Sequence, residues 1–379
     1  MNFDLPAEAI EMQAATRRVV DELLALEPEF HRTGQPPELA TQRFKELGLF
    51  GMGVPAEYGG LGLDPISSIA VQIELARLPP QFWPLLRSAL GPSIKTLVNS
   101  GTAAQKDQWL PAIARGECAV GIAMTEPHAG SDVSGIKTQA VRADGKFVIN
   151  GTKMFISNAN KVDLFTVFAY TDKSLGTSGG ISAFLVPRGT PGMTVSEPIP
   201  TMGWVQDGVF EVAFDNCVVP QANLLGDEGK GFVYFYKCLN EGRLSVGAQA
   251  LGAATMALEQ SVDYAKQRMA FGQPIANFQA VQHHLADMEV DVHLARLMLM
   301  EATWQFQQGR ATGRTCSRVK LFCSEAAGRV ADRGVQVHGG NGYCRGMIVE
   351  RVYRDVRVLR IYDGTSEIHR NIIAKELLR

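Results

Sequence analysis

In Lys146-Phe-Val-Ile-Asn-Gly-Thr-Lys-Met-Phe-Ile-Ser157, KFVINGTKMFIS, the periodicity of the chain turns from helical to extended. Apolar and aromatic residues in 146–149 and 153–156 flank Asn150-Gly151, a dipeptide that readily supplies the two left-handed residues of a tight hairpin turn. The stretch reads as two strands joined by a two-residue turn. Leu164-Phe-Thr-Val-Phe-Ala-Tyr170, Ile181-Ser-Ala-Phe-Leu-Val186 and Val209-Phe-Glu-Val-Ala-Phe214 repeat the pattern between turn residues. A block over 121–228 is therefore expected to form a small β-barrel or sandwich. On its N-terminal side, apolar residues recur at three- and four-residue spacing in 9–26 and again from Ile66 through Glu74, Ala76 and Leu78. Pro and Gly clusters at 34–37, 59–60 and 79–80 punctuate that region, which predicts an all-α segment over 1–120. After Gly226-Asp-Glu-Gly-Lys-Gly231 the helical period returns, and in 277–309 Val281, Leu285, Met288, Val292 and Leu299 form one stripe. A helical bundle over 229–379 completes an α+β reading of helices, then strands, then helices.

The 379 residues are 46% hydrophobic and 20% charged, enough apolar material for a large core divided over two or three domains. Net charge is -2 and the cations are scattered, which argues against nucleic acid or an anionic membrane as the main partner. The N-terminus lacks a basic start and an apolar core, so no secretory signal is read there, and no apolar run is long enough to span a bilayer. Six dispersed cysteines without a C-x-x-C pair fit free thiols in a reducing cytoplasm. No internal repeat or low-complexity tract interrupts the chain.

Three segments invite chemistry. Ala123-Met-Thr-Glu-Pro-His-Ala-Gly-Ser-Asp132 combines hydroxyls with a Gly-Ser-Asp turn that could offer backbone N–H groups to an anion or a polar ring edge, and it could equally be a capped loop. Gln336-Val-His-Gly-Gly-Asn-Gly-Tyr-Cys-Arg345 is glycine-rich but lacks the G-x-G-x-x-G spacing and strand-to-helix setting of a dinucleotide fingerprint. In Arg360-Ile-Tyr-Asp-Gly-Thr-Ser-Glu-Ile-His-Arg370, Asp363 stands just before a helix start, where it is either a cap or a base. His283-His284 are adjacent on a helix and point apart, so no metal site is expected there.

Five segments in order resemble the acyl-CoA dehydrogenase family of flavoproteins: 125–132, 150–157, Arg268-Met-Ala-Phe-Gly272 with Gln279, 336–340, and Tyr362-Asp-Gly-Thr-Ser-Glu367. The resemblance covers essentially the whole chain. It implies a helical N-terminal domain, a middle β domain and a C-terminal four-helix bundle, with FAD between the last two. It also implies a homotetramer, a dimer of dimers, in which a neighbouring subunit completes the FAD site. By motif, Ile122, Met124, Thr125, Gly130, Ser131, Phe155 and Ser157 would contact the flavin. Arg268, Phe271, Gln279, Gln336 and Gly340 would meet the adenine dinucleotide part, where an arginine fork suits a diphosphate. Thr365 and Glu367 would touch FAD near the terminal helix. Ser131, Asn240, Arg243, Tyr362 and Gly364 would line the acyl-CoA, and electrons would leave to an electron-transferring flavoprotein.

In the family a carboxylate removes the proton beside the thioester carbonyl while the β-hydrogen passes as hydride to the flavin. Most relatives carry Glu where this chain has Asp363, whose shorter arm falls roughly 1 Å short, an error on the order of 100-fold in rate if nothing compensates. Some relatives place the base at the position held here by Gly242. Glu241 is offset from it by about 100° on a helix, which leaves Asp363 as the carboxylate that matches. A shorter base suits an α-branched or alicyclic acyl group such as cyclohexanecarboxyl-CoA. Arg87, in the expected lining 83–88, is either a partner for a substrate carboxylate or an exposed helix charge. Rival expectations on the same fold are a nitroalkane-oxidase-like enzyme, an acyl-CoA oxidase and a non-catalytic flavin-binding scaffold.

Overall fold

A computed structural model describes residues 5–84, 86, 90–205 and 208–379, and Arg87 lies outside them. The N-terminal part is helical: α1 Ala7–Leu24, α2 Glu27–Thr33, α3 Glu38–Glu46, α4 Pro65–Leu75, α5 Pro92–Ser100 and α6 Ala103–Ala114. Helix α4 starts where the sequence dictates, because the Asp64 carboxylate accepts from the N–H groups of Ile66 and Ser67 and Pro65 occupies the first turn. It is apolar nearly all round and correspondingly buried, with Ile69 and Ile73 reaching into the core of the C-terminal bundle. Thr102 and Gln105 form a reciprocal capping box at the start of α6.

Seven strands follow: β1 Val120–Ala123, β2 Gln139–Ala143, β3 Lys146–Ser157, β4 Leu164–Tyr170, β5 Ile181–Pro187, β6 Met193–Val195 and β7 Val209–Pro220. The sheet order is β1-β4-β2-β3-β7-β6, with β5 paired to β4. The hairpin expected at Asn150-Gly151 is not there. Residues 146–157 are one continuous strand, and the turn lies at Asp144-Gly145, with φ of 48° and 72°, between β2 and β3. Gly151 sits instead at a register shift against β7, where a Cβ would come within 2.4 Å of Thr138 Oγ1. Asn150 uses its side-chain oxygen to accept from the Asn216 N–H at 2.7 Å. The dipeptide thus serves a bulge and a close approach.

The C-terminal part contains α7 Gly231–Gln267, α8 Gln279–Gln307, α9 Gly313–His338, α10 Ile348–Asp355 and α11 Ser366–Leu377. Met288, Val292 and Leu299 of the expected stripe pack with Leu244 and Leu251 of α7 and with Val319, Cys323 and Val330 of α9. Helix α4 crosses α7 closely enough that a Cβ on Gly252 would lie 2.2 Å from the Ile73 carbonyl oxygen. Buried Arg351 on α10 reaches Glu27 at 2.5 Å and Asp355 at 3.5 Å, which ties the N-terminal helices to the bundle. All six cysteines are free, five of them buried and Cys344 exposed. Among the described residues, no helix is long and apolar enough to cross a membrane.

Candidate active site

Helix α10 runs into a short 3-10 turn, Val356–Arg360, and the chain then makes the turn 362–365 before α11 begins. Thr365 caps α11, its hydroxyl accepting from the Ile368 N–H at 3.3 Å, so Asp363 is released from the capping role that its position allowed. Asp363 and Gly364 are both left-handed, with φ of 51° and 96°. For an aspartate this conformation costs on the order of 1 kcal/mol and persists only where neighbours fix it. They do so here. The Lys320 ammonium donates to the Gly364 carbonyl at 2.6 Å, and the Tyr362 hydroxyl donates to Gln249 Oε1 at 3.0 Å. The Tyr362 ring also packs on Trp204, with centroids 5.7 Å apart.

The Asp363 carboxylate faces α7 across a narrow gap. A Cβ placed on Gly242 would lie 3.8 Å from Asp363 Oδ2 and 3.4 Å from Pro92 Cγ on α5. Positions 363 and 242 therefore face the same space, and only the first carries an acid. Glu241 turns away and pairs with Lys95 at 2.8 Å. Burial holds the Asp363 carboxyl above the ordinary carboxylate range, against the opposing pull of Lys320 and Arg243. Arg243 is buried and donates to Asn240 Oδ1 at 2.9 Å, and burial lowers its own pKa. Burial also lowers Lys320 to about 8 and His369 to about 3. The turn is thus bordered by two cationic groups and one neutral imidazole at pH 7.

The proposed flavin-ring residues come together on one wall. Ile122 lies on β1, Met124 and Thr125 follow it, and the Thr125 carbonyl accepts from the Met154 N–H at 2.8 Å, which joins this segment to β3. Phe155 sits at an irregularity of β3 with φ of 59°, so its ring projects outward and is 55% exposed. Gly130, Ser131 and Ser157 are exposed beside buried neighbours. Beneath this wall, Lys153 and Glu126 form an ion pair at 2.8 Å that is buried at both ends. Lys153 also donates to the Met124 carbonyl at 3.1 Å, and Glu126 accepts from Thr138 and the Lys137 N–H. An outward aromatic, several hydroxyls and an open glycine turn fit a planar, hydrogen-bonding ring system.

The residues that the resemblance assigns to the adenine dinucleotide part form a second group. Arg268, Phe271, Gln279, Gln336 and Gly340 are all exposed, Phe271 at 95%. Tyr264 stacks on His338 at 4.2 Å and accepts from Asn341, so the end of α7 adjoins the start of the glycine-rich segment. Arg268 lies 25 residues beyond Arg243, nearly all of them in α7, which amounts to about 37 Å along the helix axis. Glu367 is exposed at the start of α11, and Thr365 is engaged in its cap. Among the described residues there is no cluster of three or more metal-ligating side chains.

Sequence reasoning missed Lys320, His369 and the Lys153–Glu126 pair. Lys320 had a detectable signal, because it shares a helical face with Cys316, Cys323 and Ala327, positions that are otherwise apolar and buried. A lysine in such a stripe is the informative exception.

A helical layer, a β domain and a helical bundle follow one another along the chain, and a half-buried carboxylate on the turn before α11 faces α7. Family models for the acyl-CoA dehydrogenase N-terminal, middle and C-terminal domains match residues 6–117, 121–217 and 229–378. The chain belongs to the acyl-CoA dehydrogenase family of FAD-dependent oxidoreductases. It is 40% identical to an acyl-CoA dehydrogenase of Bacillus subtilis, over 92% of this chain and 91% of that one. It is 35% identical to the subunit CarC of the caffeyl-CoA reductase-Etf complex of Acetobacterium woodii, over 93% and 92%. The solved structure of butyryl-CoA dehydrogenase from Megasphaera elsdenii superposes with a TM-score of 0.93 at 33% identity, covering both chains fully.

Proposed function

We propose that this chain oxidises the α,β bond of an acyl-CoA thioester, with Asp363 as the base and a compact α-branched or alicyclic acyl group as substrate. The observation that supports this most directly is the placement of the Asp363 carboxylate. It faces the gap bounded by Gly242 and Pro92, on a turn fixed from behind, and the facing position on α7 is a glycine rather than an acid. FAD, held by segments 125–131 and 155–157, would supply the acceptor for the hydride lost from the β-carbon. Asp363 takes the α-proton on a carboxylate oxygen, and its raised pKa brings it toward the range that suits a general base near neutral pH. Charge develops on the thioester oxygen as the proton leaves, and the backbone N–H of residue 363 is the expected donor to it. Arg243, held by Asn240, supplies a buried cation on the same side.

Rigid or bulky side chains stand near the base. Pro92 closes the gap from α5, Tyr362 precedes the base and packs on Trp204, and Trp204 shares a small cavity with Trp83. Of these, Pro92 is the one that faces the base directly, and its closure of the gap supports a compact acyl group over a long thin one. The separation of Arg268 from Arg243 along α7 supports an FAD site completed by a second copy of the chain, in the homotetramer that the resemblance implies. A relative assigned to a CoA reductase-Etf complex supports an electron-transferring flavoprotein as the acceptor.

The test is Asp363→Asn, which preserves shape and removes the base. It should bind FAD normally and lose anaerobic flavin bleaching by several orders of magnitude with any acyl-CoA that reduces the unsubstituted enzyme. Near-normal bleaching would refute the assignment of Asp363. Bleaching by nitroethane but by no acyl-CoA, in a panel of straight, branched, cyclic and dicarboxylic thioesters, would move the protein to a nitroalkane-oxidising reading.

A further inference from the structure

Lys320 is a buried charge with no role in the reaction as drawn above. It lies in the middle of α9 on the face turned to the bundle core and has no solvent exposure. Among the described residues no carboxylate oxygen comes within 4.0 Å of its ammonium. Its hydrogen bond goes to the Gly364 carbonyl, one residue past the candidate base. An ammonium taken out of water costs several kcal/mol, and a Met or Leu of similar length would suit the surrounding Cys316, Val319 and Cys323 better. The charged and titratable groups that face it are Asp363 from the turn, Arg243 from α7, Glu325 from α9, and Glu367 and His369 from α11. His369 is fully buried against the same turn, its Nε2 only 3.0 Å from where a Cβ of Gly364 would stand. It stays neutral near pH 7 because burial, then Lys320 and Arg243, oppose its protonation.

We propose that Lys320 is a positioning residue for the dehydrogenation: it clamps the Gly364 carbonyl to hold the left-handed Asp363–Gly364 turn and sets a positive charge behind the base. The inference rests on Asp363 being that base. The clamp matters more for an aspartate than for a longer acid, because a short arm cannot take up an error in its own backbone. The charge offsets part of the effect of burial, so Asp363 remains an anion at lower pH than it would alone.

The experiment measures anaerobic flavin reduction by one good acyl-CoA from pH 6 to 9 for the FAD-loaded enzyme and for Lys320→Met, Lys320→Gln and Lys320→Arg. Melting temperature and FAD content are recorded for each. Loss of the cation raises the proton affinity of Asp363, so the acid limb of the rate profile should move up by about one pH unit in the Met and Gln variants. At pH 7 their rates should fall roughly 10- to 100-fold while FAD remains bound, and Lys320→Arg should recover most of the loss. If Lys320→Met does not fold, Lys320→Gln, which keeps an N–H donor without the charge, must still show the shifted limb. An acid limb in the same place as that of the unsubstituted enzyme, whether the rate is normal or uniformly reduced, would overturn the proposal. Asp363→Asn separates the two readings. If it is inactive while the Lys320 variants behave as the unsubstituted enzyme, only the role of Lys320 fails; if it is active, the assignment of the base fails.

Discussion

Asp363→Glu tests whether the length of the base matches the acyl group. The added methylene extends the carboxyl by about 1.3 Å toward α7. The present Oδ2 stands 3.8 Å from where a Gly242 Cβ would be, so the longer acid would come to about 2.5 Å from that point. The glycine leaves that space free, and the substitution should be accommodated. A misplacement of about 1 Å in a reacting group is worth on the order of 100-fold in rate. With the branched or cyclic thioester proposed as substrate, flavin bleaching in anaerobic stopped flow should slow by about that factor. With straight-chain acyl-CoA the variant should slow far less or gain, so the ratio of the two rates reports reach rather than general damage. Adding Gly242→Ala sharpens the test. A methyl group there is in ordinary contact with the native site but would collide with the longer acid, so it should be nearly silent alone and harmful in combination with Asp363→Glu. An unchanged order of substrates in Asp363→Glu would refute the role given to reach, and a harmless double variant would refute the geometry behind it.

Two further outcomes concern stability and cofactor retention. The folded-state pKa of His369 is depressed to about 3, so native protein refuses a proton that the unfolded chain accepts below about 6.5. Stability is then full above that value and falls with pH, by about 2 kcal/mol at pH 5, and His369→Gln should flatten the fall in melting temperature between pH 7 and 5. A drop as steep as in the unsubstituted protein would assign the acid sensitivity elsewhere. Lys153→Met should leave the buried Glu126 carboxylate without its ammonium partner, retaining only its bonds to Lys137 and Thr138 and the nearby His128, cost up to roughly 3–5 kcal/mol and release FAD during gel filtration, and adding Glu126→Gln should restore part of the melting temperature. Full FAD retention in the single variant would show that the pair does not hold the flavin wall.

The parts of this fold visible in the sequence are those where one local signal suffices. The stripe on α8, the apolar runs of β4, β5 and β7, and the turn chemistry before α7 each show themselves within a short span of chain. Asn150-Gly151 misled because the same dipeptide that makes a tight turn also permits a bulge and a close backbone approach. Only the partners, Thr138 and Asn216, separate these outcomes, and they come from elsewhere in the chain. Asp363 is readable from sequence as either cap or base; the Thr365 hydroxyl on the Ile368 N–H takes the cap role, and the base remains the proposal. The facing of Gly242 and Asp363, far apart in the chain, is a tertiary fact with no local trace.

Local rules are broken together at one place. An aspartate adopts a glycine-like φ, a lysine occupies an apolar helical face, and a histidine is packed neutral against a backbone turn. Each alone would destabilise the fold, and each has an obvious apolar or conformationally easier substitute. What connects them is the two-residue turn Asp363-Gly364: the Gly364 carbonyl takes the lysine hydrogen bond, the left-handed backbone aims the carboxylate at α7, and His369 packs against Gly364. Relaxing any one would free the other two to shift, so the three exceptions should fail to add in combined substitutions. Strain confined to one turn and supported from several directions is what a short base needs if it is to reach the same carbon on every turnover.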